Sequence, residues 1–471
     1  MADYDLVVIG AGATGLGAAR KGRSLGARVA LVESERPGGD CTFYGCVPSK
    51  ALIETAKRVH AARTGASYGF TVSSVDVDFA AVMQRVHDTI EEISEDESPA
   101  LLASQGIDLI VGHAAFVDPH TLDVDGRAVT GRSFVIASGA GPFVPPIDGL
   151  AAVPYLTNRT IFGLTSLPAH LLVLGGGPIG VEQAQVFRRL GARVTVLQQQ
   201  DRLLVNDDPE ASAVIAAVLQ AEGVDLRMSS EVVRVSDGPT VHLGDGTTVS
   251  GSHLLVAVGR RPNTASLGLD IPGVEVGKVG QVVVDEHLRT TAPHIYAAGD
   301  CSSPLQFTHL GDEHGRLAAA NAVSRKRRKS SVRVVPWTTF TEPEVAHVGL
   351  TEAAAYAKYG ARAMVAHQPL SVVDRARCAG QTDGFIKLVV LPRGPGPLAN
   401  PVLAQVIGGT VVAPGAGDIL GEVVLAMQTK AFAGRLAQTI HAYPTWGLGV
   451  RQTAALLDAP YLGAELRPAR P

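Results

Sequence analysis

Two stretches of this chain repeat one pattern, and the repeat limits what the chain can fold into. "DLVVIGAGATGLGAARKGRSLGARVALVES" starts at Asp5, and "HLLVLGGGPIGVEQAQVFRRLGARVTVLQQ" starts at His170. Each reads apolar strand, glycine-rich turn, helix, "LGARV" and a second apolar strand. Both are βαβ units, the unit from which parallel sheets are built. In the first, Gly10, Gly12 and Gly15 make G-x-G-x-x-G; in the second, Gly175, Gly177 and Gly180 do. The first glycine permits the tight turn, the second lets backbone approach a pyrophosphate, and the third lets helix pack on strand. The helix N-terminus then faces the phosphate charge. Two such units suggest two nucleotide sites.

The second strands of the units end differently. Glu33 closes the first, near the spacing at which an acid accepts from a ribose hydroxyl. Gln198 stands at the matching place in the second. An acid there disfavours a 2′-phosphate and an arginine favours one; Gln198 does neither decisively. Arg202 reaches for a phosphate in one reading and is a plain surface arginine in the other. The balance tilts to NADPH over NADH.

Length and composition agree with an α/β enzyme. The 471 residues suggest about three domains, with 46% apolar residues and 52 glycines, many in short motifs. The net charge of −4 gives no field for nucleic acid. No apolar run reaches the roughly 18 residues that span a bilayer, and the N-terminus enters a strand at once, without a targeting segment. Four cysteines make no disulfide scaffold, and the expected compartment is cytoplasmic. "SGAGPFVPPIDGL" (138–150) and "VAVGRRPNT" (256–264), which contains Gly259, read as crossovers between domains. The basic run "RKRRK" (325–329) reads as a solvated loop and the acidic run "EEISEDES" (91–98) as an exposed helix end. From Pro336 on, short strands ("FIKLVV", "VIGGTVV") alternate with a helical pattern ("GEVVLAMQTKAFAGRLAQ"), which suits packing or association.

"GGDCTFYGCVPSK" sets Cys41 and Cys46 either side of four residues. Pro48 suits a first helical turn, which puts Cys46 at a helix N-terminus where the dipole favours thiolate. Lys50, four residues on, shares that face and adds a cation. Three readings meet the pair. A zinc clip needs four ligands and a second Cys/His cluster, which is absent nearby. Two inert buried thiols are the second reading. The third, favoured by Lys50 and the helix start, is a redox-active disulfide beside a bound flavin.

With these motifs in order, the chain resembles the class I pyridine nucleotide–disulfide oxidoreductases, the family of dihydrolipoamide dehydrogenase, glutathione reductase and mercuric reductase. "GAGATG" is similar to the family's FAD loop, "GGDCTFYGCVPSK" to its redox disulfide and "GGGPIGVE" to its NAD(P) loop. "TTAPHIYAAGDC" (290–301) resembles its second FAD motif, and "TFTEPEVAHVGLTE" the start of its interface domain. The resemblance implies two Rossmann-like domains, for FAD and NAD(P), and a C-terminal α+β dimerisation domain. Its boundaries would be 1–150 and 276–335 for FAD, 151–275 for NAD(P) and 336–471 for the interface. It implies that FAD is held by the first loop, Glu33, Ser138 and Gly139, Asp300 and Thr308. Gly175, Gly177, Gly180, Gln198, Arg202 and Gly259 would serve the nucleotide. Lys50 and Glu182 resemble an ion pair beside the flavin. Electrons would pass from NAD(P)H through FAD to Cys41–Cys46, with Cys46 the flavin-side thiolate and Cys41 the attacking thiol.

The pattern breaks near the C-terminus. Thiol-exchanging members carry H-x-H-P-T-x-x-E, in which the second His moves a proton and the Glu orients it. Here "HAYPTWGL" keeps Pro444 and Thr445, but Tyr443 replaces the His and Leu448 the Glu. A Tyr hydroxyl of pKa ~10 donates but is a poor base. General-base help is worth roughly 10²–10⁴-fold, so efficient disulfide turnover is disfavoured. His441 reads as an interface histidine. The Tyr and "AAGDCSSPLQFTHL" resemble mercuric reductases, yet the tail "YLGAELRPARP" lacks their second cysteine pair. Cys301 reads as packed, and Cys378 as a loop residue with no role. The expectation is a homodimeric FAD enzyme that passes electrons to a small-molecule acceptor (a disulfide, a quinone or a metal ion), with Tyr443 as proton donor or orienting group. Its rivals are a dihydrolipoamide dehydrogenase with a substituted base and a non-catalytic flavoprotein subunit.

Overall fold

The structure is a computed structural model and describes residues 2–324, 327–394, 400–459 and 463–471. The chain forms two compact units, the first comprising Met1–Pro146, Pro154–Leu167 and Leu254–Ser331, the second the remainder.

The first unit is built on a parallel sheet in the order Ile107–Val111, Val29–Glu33, Tyr4–Ile9, Arg127–Ile136, Ile295–Ala297. Its strands are apolar on both faces because both are covered. Val7, Ile9, Ala30 and Val32 fill one core, while Leu6, Val8, Val29 and Leu31 fill the other. The first half of Arg127–Ile136 turns outward into an antiparallel meander with Thr121–Val124 and Ala114–Asp118.

On one face the helix Ala13–Ser24 lies against the helix Thr308–Val323 at very close range. A Cβ on Gly315 would stand 2.0 Å from Thr14 O, and one on Gly17 would stand 2.3 Å from Asp312 Oδ1. At Gly315, where the atom met is backbone, only hydrogen allows the approach. It brings Thr308, the first residue of its helix, beside the residues that follow the first glycine turn.

The second unit holds the other βαβ element: parallel strands His170–Leu174, Arg193–Leu197 and Asp225–Arg227 with the helix Pro178–Leu190. Its C-terminal part is a six-stranded antiparallel sheet backed by the helix Ala416–Gln428. Lys387, 1% exposed inside this unit, is neutralised by Asp208 at 3.1 Å and Glu210 at 2.6 Å.

Local expectations need correction. The helical stretch 421–438 falls on two helices, Ala416–Gln428 and Ala433–Gln438, parted where Lys430 takes φ +55. Cys378 lies on a short helix, Asp374–Ala379, not in a loop. The acidic run is not wholly exposed: Glu97 turns inward and accepts from the Thr42 hydroxyl at 3.0 Å. In the basic run, Arg325 and Lys326 lie outside the described residues, while Lys329 pairs with Glu286 at 2.7 Å. Among the described residues, no helix is long and apolar enough to cross a membrane.

Candidate active site

Both glycine turns show why glycine is there. Gly10 and Gly175 take φ +101 and +109, which L side chains rarely adopt. A Cβ on Gly15 would lie 1.7 Å from Gly10 O, and one on Gly180 would lie 2.0 Å from Gly175 O. Gly12 and Gly177 cap the two helices without any side-chain hydrogen bond. At Gly177 a Cβ would meet nothing within 4 Å, and at Gly12 only Gly39 Cα at 3.8 Å. Uncapped helix N–H groups beside open space fit the pyrophosphates of FAD and a nicotinamide dinucleotide.

The strand-end residues brace these turns. Glu33 Oε2 accepts from Ala11 N at 2.7 Å, and Gln198 Oε1 from Gly176 N at 2.9 Å. Gln198 Nε2 donates to Gln200 Oε1 at 2.9 Å and Arg202 O at 3.0 Å. Arg202 donates through Nη2 to Val205 O at 2.7 Å, while its Nη1 is buried with no hydrogen-bond partner among the described residues.

The thiols sit on consecutive helices. Cys41 lies in Gly39–Tyr44, and Cys46 opens the helix Cys46–Arg63. Thr308 Oγ1 donates to Cys41 Sγ at 3.3 Å and lies 3.6 Å from Cys46 Sγ. Cys41 is half-buried and Cys46 exposed. The hydrogen bond from Cys46, then burial, push the Cys41 thiol far above its ordinary range. Two thiols this close do not both ionise.

Beneath them lies a group that sequence reading did not single out. Arg260 Nη1 donates to Asp40 Oδ2 at 2.7 Å and Nη2 to Ala140 O at 2.6 Å, with Asp300 Oδ2 at 3.3 Å. Burial first, and then Asp40, raise the Asp300 carboxyl, while Arg260 opposes both. Asn158 Nδ2 donates to the Asp40 carboxylate and to Tyr44 O, each at 3.2 Å. The one sequence signal was an acid directly before Cys41. The Ser138–Gly139 turn is held from the same side, Asn263 donating to Ser138 O at 3.1 Å and Gly139 O at 3.0 Å.

The other candidates are spread more widely. Lys50 is half-buried in the first unit, one turn after Cys46. Glu182 belongs to the second unit, 5% exposed, and accepts from Phe340 N at 2.8 Å. Gly259 sits exposed at φ +140 with open space around it. Tyr443 is 70% exposed and donates to Asp374 Oδ2 at 3.1 Å. His441 has Glu422 Oε2 at 2.9 Å from Nε2 and Thr439 O at 3.0 Å from Nδ1. Both ring nitrogens face acceptors. Cys301 is fully buried, and burial pushes its thiol up to about 11.

The family model Pyridine nucleotide-disulphide oxidoreductase matches residues 4–325, and that family's dimerisation domain matches residues 335–453. The chain belongs to this family. It is 38% identical over 467 residues to a mercuric reductase of Streptomyces lividans, covering 96% of this chain and 95% of that one. It is 33% identical over 467 residues to a dihydrolipoyl dehydrogenase of Thermus scotoductus, covering 97% and 98%. The solved HOCl-induced flavoprotein disulfide reductase of Escherichia coli matches with TM-score 0.85 and 30% identity, over 96% of this chain and all of that one. The protein is therefore an enzyme, a flavoprotein oxidoreductase with dinucleotide-binding α/β domains and a dimerisation domain.

Proposed function

We propose that this enzyme takes hydride from NAD(P)H, NADPH being preferred, and delivers two electrons through Cys41 and Cys46 to a small acceptor. FAD, when bound, supplies the two-electron carrier between nicotinamide and the thiols. The observation that carries this reading is the position of Thr308: its hydroxyl touches both sulfurs from a helix packed against the first dinucleotide turn. Reduction breaks the Cys41–Cys46 bond and leaves a thiol and a thiolate. Cys46, at a helix start with Lys50 one turn on, holds the negative charge, and Cys41 is the thiol that meets the acceptor. Lys50 and Glu182 serve the flavin in this reading, as the residues that resemble the family's ion pair, and Glu33, Ser138, Gly139 and Asp300 hold FAD. Gln198, Arg202 and Gly259 serve the second nucleotide.

The acceptor is a disulfide, a quinone or a metal ion. The mercuric reductase relative supports the last of these, and the Escherichia coli disulfide reductase the first. Tyr443, exposed and oriented by Asp374, donates the proton or orients the acceptor. The reading includes a cytoplasmic homodimer and domain limits of 1–150 and 276–335, 151–275, and 336–471. A dihydrolipoamide dehydrogenase with a substituted base is the second reading, supported by the Thermus relative. Turnover with dihydrolipoamide decides it.

Anaerobic titration with NADH and, separately, NADPH tests the relay. A long-wavelength charge-transfer band is expected at two-electron reduction, and Cys46→Ser should abolish it. Passage of the wild type straight to fully reduced flavin, with no such band, refutes the reading.

A further inference from the structure

Cys41 and Cys46 are carried by two helices joined at a single residue. Gly39–Tyr44 ends and Cys46–Arg63 begins on either side of Gly45, which takes φ −129 and ψ −112. The angle at this joint sets how the two sulfurs meet. The first helix has six residues, too few to be stable alone, so its geometry comes from its neighbours. The segment "TNRT", residues 157–160, supplies two of them. Its own threonines fold it into a tight turn: Thr160 Oγ1 accepts from Thr157 N at 2.9 Å, and Thr157 Oγ1 from Arg159 N at 3.2 Å. Asn158, 8% exposed, donates through Nδ2 to both carboxylate oxygens of Asp40 and to Tyr44 O, each at 3.2 Å. One amide thus joins the residue before Cys41 to the carbonyl at the Gly45 joint. Arg159 stacks its guanidinium over the Tyr44 ring, 4.3 Å from the centroid, and sets Nη2 on the Glu35 carboxylate at 2.5 and 2.7 Å. The Tyr44 hydroxyl donates to the same carboxylate at 3.4 Å.

We propose that Asn158 and Arg159 are positioning residues for Cys41. Asn158 fixes the span of its helix and the angle at Gly45, Arg159 fixes its outer end, and together they keep the Cys41 sulfur where it can close on Cys46. The proposal rests on the thiol-relay reading above. It assigns these residues to the intramolecular step, in which the two sulfurs bond, and not to the access of reagents to either thiol. Closing a ring between two held groups gains from their fixed geometry, and about an ångström of misplacement costs on the order of 10²-fold.

The test mixes two-electron-reduced holoenzyme, anaerobically and in a Cys378→Ser background, with dithiobis-nitrobenzoate. One enzyme thiolate attacks the reagent's S–S bond, forms a mixed disulfide and releases a first coloured thiolate. The other enzyme thiol then loses its proton, attacks the enzyme sulfur of that mixed disulfide and releases the second. Two electrons leave the thiols, and the Cys41–Cys46 bond forms. The first phase depends on reagent concentration and reports access; the second does not and reports positioning. Asn158→Ala removes all three bonds and should slow the second phase on the order of 10²-fold while leaving the first unchanged. Asn158→Asp keeps the shape but sets a carboxylate against Asp40 and Tyr44 O, and should act in the same direction. Arg159→Ala, at a partly exposed pair, should slow the second phase several-fold. A residue that only supports the fold would alter both phases together or neither. Second phases as fast as wild type in the Asn158 variants, or both phases slowed alike, overturn the proposal. If the Asn158 variants lose flavin, Arg159→Ala decides alone: a slowed second phase with an unchanged first supports the proposal, and an unchanged ratio overturns it. A wild type that never releases the second equivalent overturns the relay and this proposal with it, whereas a wild type that closes, with variants that close as fast, overturns this proposal only.

Discussion

In the first glycine turn Glu33 Oε2 accepts from Ala11 N at 2.7 Å; in the second Gln198 Oε1 accepts from Gly176 N at 2.9 Å, across the same separation of 22 residues. The brace needs only an sp² oxygen, and glutamate and glutamine both supply one. The other end of the side chain differs. The second oxygen of Glu33 accepts from Glu35 N at 2.9 Å and keeps acceptor capacity for a hydroxyl. The amide of Gln198 is a donor, and it is spent on Gln200 and the carbonyl of Arg202. One change of group thus removes a negative charge from the second site and ties down the loop that carries Arg202.

The glycines offer the most severe way to break the comparison. An added Cβ would collide with a backbone oxygen in both turns, at 1.7 Å in Gly15→Ala and 2.0 Å in Gly180→Ala. The lesion is the same and the expected phenotypes are not. Gly15→Ala should purify with its flavin largely lost, read from the flavin-to-protein absorbance ratio. Gly180→Ala should keep its flavin but reduce it on the order of 10²-fold more slowly with nicotinamide, the cost of roughly an ångström of misplacement. Flavin loss in both variants would mean that the two turns do not serve separate nucleotides.

Those glycines were legible in the sequence because their constraint is local: a turn with positive φ feeding a helix leaves few residue choices. Cys46 at a helix start was legible for the same reason, from Pro48 and the apolar pattern behind it. The clamp under Cys41 was not. Arg260 and Asp40 are 220 residues apart, and neither sits in a periodic pattern that announces a partner. The inward turn of Glu97 onto Thr42, 55 residues away, was hidden likewise, since a run of acids reads as solvated until a neighbour claims one. The break between the helices Ala416–Gln428 and Ala433–Gln438 carried no sequence signal, because Lys430, which takes φ +55, is not a breaker residue. His441 was read by its offset from a motif position; its pairing with Glu422 is a tertiary fact.

A gentler test of the comparison exchanges its charge. Gln198→Glu keeps the brace to Gly176 but sets a carboxylate, at a position 5% exposed, against two acceptors, Gln200 Oε1 and Arg202 O. The ratio of kcat/KM with NADPH to kcat/KM with NADH should fall on the order of tenfold, the worth of one hydrogen bond to a charged group. Arg202→Ala should weaken NADPH several-fold, about the worth of one such bond, and leave NADH nearly unchanged. An unchanged ratio in Gln198→Glu would mean that charge at this position does not select the nucleotide, and the two turns would differ in sequence only.

The loops that follow differ as well, and there the expected effect is smallest. After Glu33 the chain places Glu35 at the surface, paired with Arg159 at 2.5 Å. After Gln198 it buries Asp207, 4% exposed, whose Oδ1 accepts from the Trp337 indole at 2.9 Å. Burial pushes the Asp207 carboxyl up to about 6 from 3.8, Asp208 adds to it, and Trp337 and Arg202 oppose. A carboxyl raised on folding binds an extra proton in the native state between those two values, so stability falls as pH rises from about 4 to 6 and is flat beyond. Asn at this position stays neutral and still accepts from Trp337. Asp207→Asn should therefore match wild type near pH 4 and exceed it at pH 7.5 by at most about 3 kcal/mol, a rise in Tm of at most roughly 6–12 °C for a unit of this size. Equal melting temperatures at both pH values would show that the ionised carboxylate is solvated there, and that the second loop bears no more electrostatic strain than the first.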